Sequence, residues 1–222
     1  MSDNDKIDVG RDIIRYHKII TRGIKIANQH TNESLKNGIL EVSTQDGFLK
    51  FVQTFSSVLK AHHMAEDEII FPYVRDLIPE VPYQRLIDEH EILSVELNRI
   101  NSAITDFRSE GNVEIFLRQL NPALGKIDEL WHPHIKIEEH MIYERIGSLI
   151  NVDEMIKLKT AFVQFYQKNV GPDYLVAPFS LYNLPPDERA VIEQGLPEIV
   201  IKQLIPIDWK DKWAPMKPFL LQ

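Results

Sequence analysis

The chain has 222 residues, 44% hydrophobic and 26% charged, enough for one generous domain or a domain with an appendage. With 33 acidic and 25 basic residues its net charge is −8, which repels phosphate backbones and argues against nucleic-acid binding. Cysteine is absent, which excludes disulfides, thiolate metal sites, iron–sulfur ligation and cysteine nucleophiles. No apolar run is long enough to predict a membrane span, and the polar, acidic start Met1-Ser2-Asp3-Asn4-Asp5 does not read as a signal or transit peptide, so the expectation is a cytoplasmic protein with no membrane partner.

Between recognisable breaks, apolar residues recur at three- and four-residue steps, which predicts helices throughout the first three quarters of the chain. Helix A is expected over about 10–30, before the turn signal Asn37-Gly38. Asp46-Gly47 reads as a second turn and the start of helix B, which runs over about 46–78 to the break bracketed by Pro79 and Pro82. Helix C follows over about 82–108, and Ser109 to Asn112 separate it from helix D, over about 113–147. In helix D, Asn121-Pro122 has the look of an N-cap with proline in the first turn, which would make 113–120 a short separate helix, and Pro133 is expected to kink the helix. A fifth helix over about 152–168 carries Met155, Leu158, Phe162 and Phe165 on one face.

Composition then changes. Eight of the 13 prolines and none of the eight histidines lie after Val170. Residues 1–170 are therefore expected to form a helical bundle plus its fifth helix, and 171–222 an extension of turns and short helices packed on it. One such helix starts at Pro185-Pro186-Asp187-Glu188-Arg189, and another spans Leu196 to Leu204. Trp209 and Trp213 argue against disorder there.

Four helices joined by short loops bury a seam of alternating three- and four-residue steps. That seam is Ile13, His17, Ile20, Ile24 and Ala27 in helix A, and Val52, Phe55, Leu59, His62, Glu66, Ile69 and Tyr73 in helix B. In helix C it is Tyr83, Leu86, His90, Leu93, Leu97, Ile100, Ile104 and Phe107, and in helix D Leu120, Leu124, Ile127, Trp131, His134, Glu138 and Met141. Each seam is apolar except at one level, where it carries His17, then His62 with Glu66, then His90, then His134 with Glu138. Burying such groups unpaired costs several kcal/mol each, on the order of the penalty for a desolvated charge, so they need a shared partner. A metal supplies it, and imidazole nitrogen with carboxylate oxygen suits iron, manganese or zinc. The His-x-x-x-Glu spacing puts both ligands on one helical face, and two such pairs let each carboxylate bridge two metals.

His30, His63, His132 and His140 fall off the seam. His63 and His132 each adjoin a seam residue, as outer-sphere groups or proton relays. His63 with Asp67 has the same spacing as His62 with Glu66, one residue out of register, and is the competing pair. No His-Glu-x-x-His motif, phosphate-binding glycine loop or nucleophile elbow occurs, and only one Glu-x-x-His is present where ferritin-like sites need two.

His17, the run His62-His63-Met64-Ala65-Glu66-Asp67-Glu68-Ile69-Ile70-Phe71-Pro72, His90 after Asp88-Glu89, and His134-Ile135-Lys136-Ile137-Glu138-Glu139 together resemble the hemerythrin-like (HHE cation-binding) family over roughly 10–147. The resemblance implies an all-α, up-down-up-down four-helix bundle around a non-haem di-iron centre ligated by His17, His62, Glu66, His90, His134 and Glu138. Members bind O₂, sense oxygen, iron or redox state, or handle nitric oxide and peroxide. Oxygen-carrying hemerythrins have a further His one turn after the helix C ligand, where this chain has Ser94. With four imidazoles and two bridging carboxylates both irons would keep open positions, which suits activation or sensing better than reversible carriage. A single iron, or another divalent metal, also stays compatible. The functional expectation is an oxidoreductase that binds or activates O₂ or peroxide, acting on a small molecule with an electron donor the sequence does not name. The alternatives are an iron, oxygen or redox sensor without turnover and, third, metal storage or detoxification. The enzyme reading expects a pocket reaching the metal, walled by aromatic residues of the fifth helix or the extension.

Overall fold

Helices built on those three- and four-residue steps account for nearly all of the chain. The computed structural model describes residues 8–37 and 41–221, and no strand occurs among them. Helix α1 is Val9–Asn37. Helix α2 is Val42–Ala65, prolonged by a π-helical turn, Glu66–Ile70, and a last turn, Phe71–Val74. Helix α3 is Tyr83–Glu110. Helix α4 is Val113–Glu138, prolonged in the same way by a π-helical turn, Glu139–Tyr143, and Glu144–Leu149. Helices α1 and α3 each pack against both α2 and α4, so four apolar faces enclose one core. Ile13, Ile20, Phe55, Leu59, Leu86, Leu93, Leu124 and Ile127 are all fully buried in it, each worth about 1.5–3 kcal/mol of hydrophobic stabilisation.

The two π turns explain where the seam departs from the expected one. A π turn inserts one residue into the helical repeat. After Glu66 the buried positions are Ile70, Phe71 and Val74, while the expected Ile69 and Tyr73 are only half-buried. After Glu138 they are Ile142, Tyr143 and Ile146, with Met141 half-buried. In both helices the shift starts at the seam glutamate.

Two expected breaks are absent. Asp46 and Gly47 lie inside α2, not in a turn. Gly47 marks a close approach of the chain's C-terminal end: a Cβ there would stand 2.0 Å from the Pro215 carbonyl oxygen. Helix α4 runs unbroken from its true N-cap, Asn112, whose side chain accepts a hydrogen bond from the Ile115 amide at 3.1 Å, so 113–120 is not a separate helix. It also continues through Pro122 and Pro133. Both prolines are exposed, as are the residues four positions before them, so the carbonyls left without a donor face water. The break between α3 and α4 is as expected: Gly111, at φ 71°, takes the left-handed conformation that ends α3. Of the Asn37-Gly38 signal, Asn37 ends α1 and Gly38 lies outside the described residues.

Helix α5, Val152–Asn169, opens on a capping box in which Asn151 and Glu154 bond each other's backbone amides. It buries Met155, Leu158, Phe162 and Tyr166 against α1 and α2. The remainder comprises α6 (Asp173–Tyr182), α7 (Pro186–Glu193), a π-helical stretch (Val200–Asp208), α8 (Lys210–Trp213) and a 3₁₀ segment (Ala214–Phe219). The helix expected at 196–204 thus starts later and is wound as a π-helix. This extension lies on the N-terminal half of α2, where Phe219 meets Phe48 and Phe51 and Phe179 meets Phe51 at 5.2–5.8 Å between ring centroids. It also reaches α1: Arg22 donates to the Phe219 carbonyl at 2.8 Å, and Arg15 donates to Glu188 at 2.9 Å. No helix among the described residues is long and apolar enough to cross a membrane.

Candidate metal centre

One level of the bundle is polar, and every helix of the four contributes to it. His17 sits in the first third of α1, His62 and His63 in the last turn of α2, Glu66 at the first position of its π turn, His90 in α3, and His134 and Glu138 in α4. All seven side chains are buried, none more than 4% exposed. Their donor atoms form two groups, each within 4.8 Å of one another: His17, His62, Glu66 and Glu138 in the first, and His63, His90 and His134 in the second.

The two glutamates face both groups. Glu138 turns Oε2 to His17 Nε2 at 3.4 Å, and Oε1 to His134 Nε2 at 3.1 Å and His90 Nε2 at 3.6 Å. Glu66 Oε2 lies 3.4 Å from His62 Nε2 and 3.7 Å from His90 Nε2, and its Oε1 accepts a hydrogen bond from the Tyr143 hydroxyl at 2.5 Å. Two donors each about 2.1 Å from one cation, at right angles, stand about 3.0 Å apart. The observed spacings are therefore near those of ligand atoms sharing a cation.

The outer partners fix which ring nitrogen is free. His90 Nδ1 donates to Asp67 at 2.8 Å, His134 Nδ1 to Glu89 at 2.9 Å, and His17 Nδ1 to Glu139 at 2.8 Å. A carboxylate only accepts, so each Nδ1 carries the proton and each Nε2 presents a lone pair inward. This carboxylate–imidazole arrangement is the usual support of a metal-ligating histidine. Each acid adjoins a cluster residue in sequence but serves the next helix: Asp67 of α2 holds His90 of α3, Glu89 of α3 holds His134 of α4, and Glu139, just beyond the α-helical part of α4, holds His17 of α1. His62 has no such partner, and both its ring nitrogens are buried without a hydrogen bond.

The chemistry of these donors suits a cation. His17 Nε2, His62 Nε2, His63 Nε2, Glu66 Oε2 and both oxygens of Glu138 are buried without hydrogen-bond partners, in a fold that otherwise pairs nearly all its polar groups. His90 Nε2 and His134 Nε2 confront each other at 2.9 Å, lone pair to lone pair when both rings are neutral. Protons are the alternative to a metal. Burial opposes charge on His17 and His90, but hydrogen bonds to Glu139 and Asp67 and the charges of Glu66 and Glu138 carry His17 up to about 9 and His90 up to about 10. Burial and the neighbouring imidazoles push His62 and His63 well below the ordinary histidine value. Burial and the Glu138 charge raise Glu66, while Glu138, despite burial, is held well below the carboxylate range by His134, His90 and His17. The donor set, imidazole and carboxylate without thiolate, fits iron, manganese or zinc.

An apolar wall closes the site. Trp131 is fully buried, lies 5.6–6.4 Å from the rings of His17, His62, His63 and His134, and is anchored by an Nε1 hydrogen bond to Thr21 at 2.7 Å. Phe71 stacks on His90 at 5.7 Å. Two open surface hollows run along α3, from Val95 to Asp106, and no cluster residue lines them.

All six residues that the resemblance implies as ligands come together here, each burying its side chain at one level. His63, expected as an outer-sphere group or proton relay and, with Asp67, as the competing pair, stands inside the second group. Asp67, its competing partner by spacing, turns instead to His90. His132, the other candidate relay, is exposed and belongs to neither group. Sequence reasoning missed Asp67, Glu89, Glu139 and Tyr143. The first three carried one signal, an acid next to a seam ligand at three of the helices.

A family model, the hemerythrin HHE cation-binding domain, matches residues 9–147, from the start of α1 almost to the end of α4. No curated protein and no solved structure matches the chain.

Proposed function

The chain belongs to the hemerythrin HHE cation-binding domain family, and on that premise we propose that its buried cluster holds two iron ions bridged by Glu66 and Glu138 and serves to bind or activate O₂ or peroxide. The observation that supports this most directly is the set of buried, unpartnered donors divided into two groups, with a carboxylate oxygen turned to each. Iron bound there supplies Lewis acidity and one-electron reduction. The protein's own residues do the rest. Asp67, Glu89 and Glu139 orient three imidazoles and keep their Nε2 lone pairs free. Tyr143, whose pKa is pushed well above 10 by burial and by the charges of Glu66 and Glu138, keeps its proton and holds Glu66 Oε1 in place. Trp131 and Phe71 exclude water, which strengthens every charge interaction inside.

A second reading, an iron-, oxygen- or redox-responsive binding protein without turnover, is favoured by the burial of all seven side chains, which leaves room for a diatomic molecule before an organic substrate. Protein purified anaerobically with ferrous iron should carry about two irons per chain and change its visible spectrum on admission of air. The double variant His62→Ala/Glu66→Ala should lose both properties. One iron or fewer per wild-type chain, or an unaltered double variant, refutes the assignment. Catalytic consumption of peroxide or of O₂ with a reductant separates the two readings: many turnovers support the oxidoreductase, a single one the responsive protein.

A further inference from the structure

We propose that His63 is the third imidazole ligand of the cation held by His90 and His134, occupying from α2 the place that Ser94 leaves without a nitrogen donor on α3. The proposal rests on the two-cation reading above and deepens it. Neighbouring residues on an α-helix point about 100° apart. The last turn of α2 therefore serves both groups at once, His62 toward His17 and His63 toward His90 and His134. The His63 ring stacks on His90, with centroids 4.2 Å apart and planes 17° apart, and stands edge-on to His134 at 5.8 Å. Its side chain is 4% exposed, and its Nε2 is buried without a hydrogen-bond partner. A histidine kept only for packing would leave that nitrogen buried and unpaired, which destabilises the fold. Ser94, one turn after His90, is half-buried and offers only a short hydroxyl.

His63 changes the balance of the centre. The cation at His90 and His134 then has three imidazoles plus the glutamate oxygens turned to it, and the cation at His17 and His62 has two. The residues that would hold the other cation are His17, His62 and the glutamate oxygens turned to them, beside the Tyr143 hydroxyl that bonds Glu66.

Anaerobic titration of the metal-free full-length protein with ferrous iron tests this. Wild-type protein should take up two equivalents. His63→Ala and the bulkier His63→Gln should bind the first as wild type does and the second at least about tenfold more weakly, as expected when a ligand and not merely its outer partner is lost. His63→Ala/Ser94→His should recover the second equivalent by restoring an imidazole one turn after His90. Both single variants taking up two equivalents with wild-type affinities overturns the proposal. Wild-type protein that binds only one equivalent overturns the two-cation reading itself, and His63 as a second-site ligand with it. X-ray absorption of loaded wild-type protein needs no variant to fold: five imidazoles per two irons supports the assignment, and four overturns it.

Discussion

Replacing Gly47 by alanine tests how the extension is fastened to the bundle. The added methyl would stand 2.0 Å from the Pro215 carbonyl oxygen, 2.7 Å from its carbon and 3.3 Å from Phe219 Cε2. The first two obstacles are backbone, so the 3₁₀ segment must withdraw by about 1.5 Å to reach ordinary contact. That movement loosens Phe219 from Phe48, Phe51 and His30, and Met216 from Thr54. Overpacking of this kind costs about 3 kcal/mol, the upper end of the usual range. Alanine's helix propensity returns about 1 kcal/mol, leaving a net loss of about 2 kcal/mol. Gly125 provides the control: it is helical and exposed, and an added methyl there meets nothing within 4 Å, so Gly125→Ala should gain about 1 kcal/mol. The two variants should differ by about 3 kcal/mol, or about 6–12 °C in thermal unfolding followed by circular dichroism. Iron content should be unchanged in both, because 15 residues of α2, about 22 Å, separate Gly47 from His62. A Gly47→Ala protein that melts at or above wild type refutes the close packing, and one that stays folded but loses iron refutes the independence of the site.

Other expectations concern the centre and its supports. Asp67→Asn, Glu89→Gln and Glu139→Gln should each weaken iron binding by about 10–100-fold with the helical signal retained, as isothermal titration would show. Tyr143→Phe leaves Glu66 Oε1 without its hydrogen bond, and should cost the metal-free protein about 1–3 kcal/mol in urea unfolding. Chelation should lower thermal stability, and adding ferrous iron at a hundred times its dissociation constant should restore about 2.7 kcal/mol per site. Glu188 is held below its ordinary pKa of 4.5 by hydrogen bonds to Lys18 and Arg15. Its contribution is therefore complete above the unfolded-state value and lost as pH falls through the folded one. Glu188→Gln should be less stable than wild type by about 1 kcal/mol or less at pH 7, with no difference once both are in acid below that folded value.

The sequence carries the bundle and most of the centre for one reason: polar side chains on a core face conflict with burial, and the conflict recurs at one level in four helices. His17, His62, Glu66, His90, His134 and Glu138 were legible on that ground. His63 entered only as an outer-sphere group or relay and as part of a competing pair with Asp67, because a seam assigns each helix a single inward face, whereas the last turn of α2 turns adjacent residues toward two donor groups. Beyond Glu66 and Glu138 the expected seam is one residue out, since a repeat of 3.6 does not foresee a π turn. Asp67, Glu89 and Glu139 carried only a weak signal: each adjoins a seam ligand, but on a chain with 33 acids that adjacency does not say which histidine each one holds. Asp46-Gly47 misled because glycine has two uses, and here it makes room for another segment where a turn was expected.

The chain of acid-to-histidine bonds from α2 to α3, α3 to α4, and α4 to α1 makes a hoop with one gap. Three sides of the bundle are laced through the metal site itself, while between α1 and α2 no hydrogen bond grips His62. The C-terminal extension spans that same side from outside, with Arg22 tied to the Phe219 carbonyl and Phe179 set against Phe51. Sliding of α1 along α2 is thus resisted by a brace and not by a lace. The extension braces the N-terminal half of α2, so what stiffens the α1–α2 side there comes from residues beyond the 9–147 span that matches the family model. Two members alike in every cluster residue can therefore differ in the stiffness of that side, according to what each carries after its fourth helix.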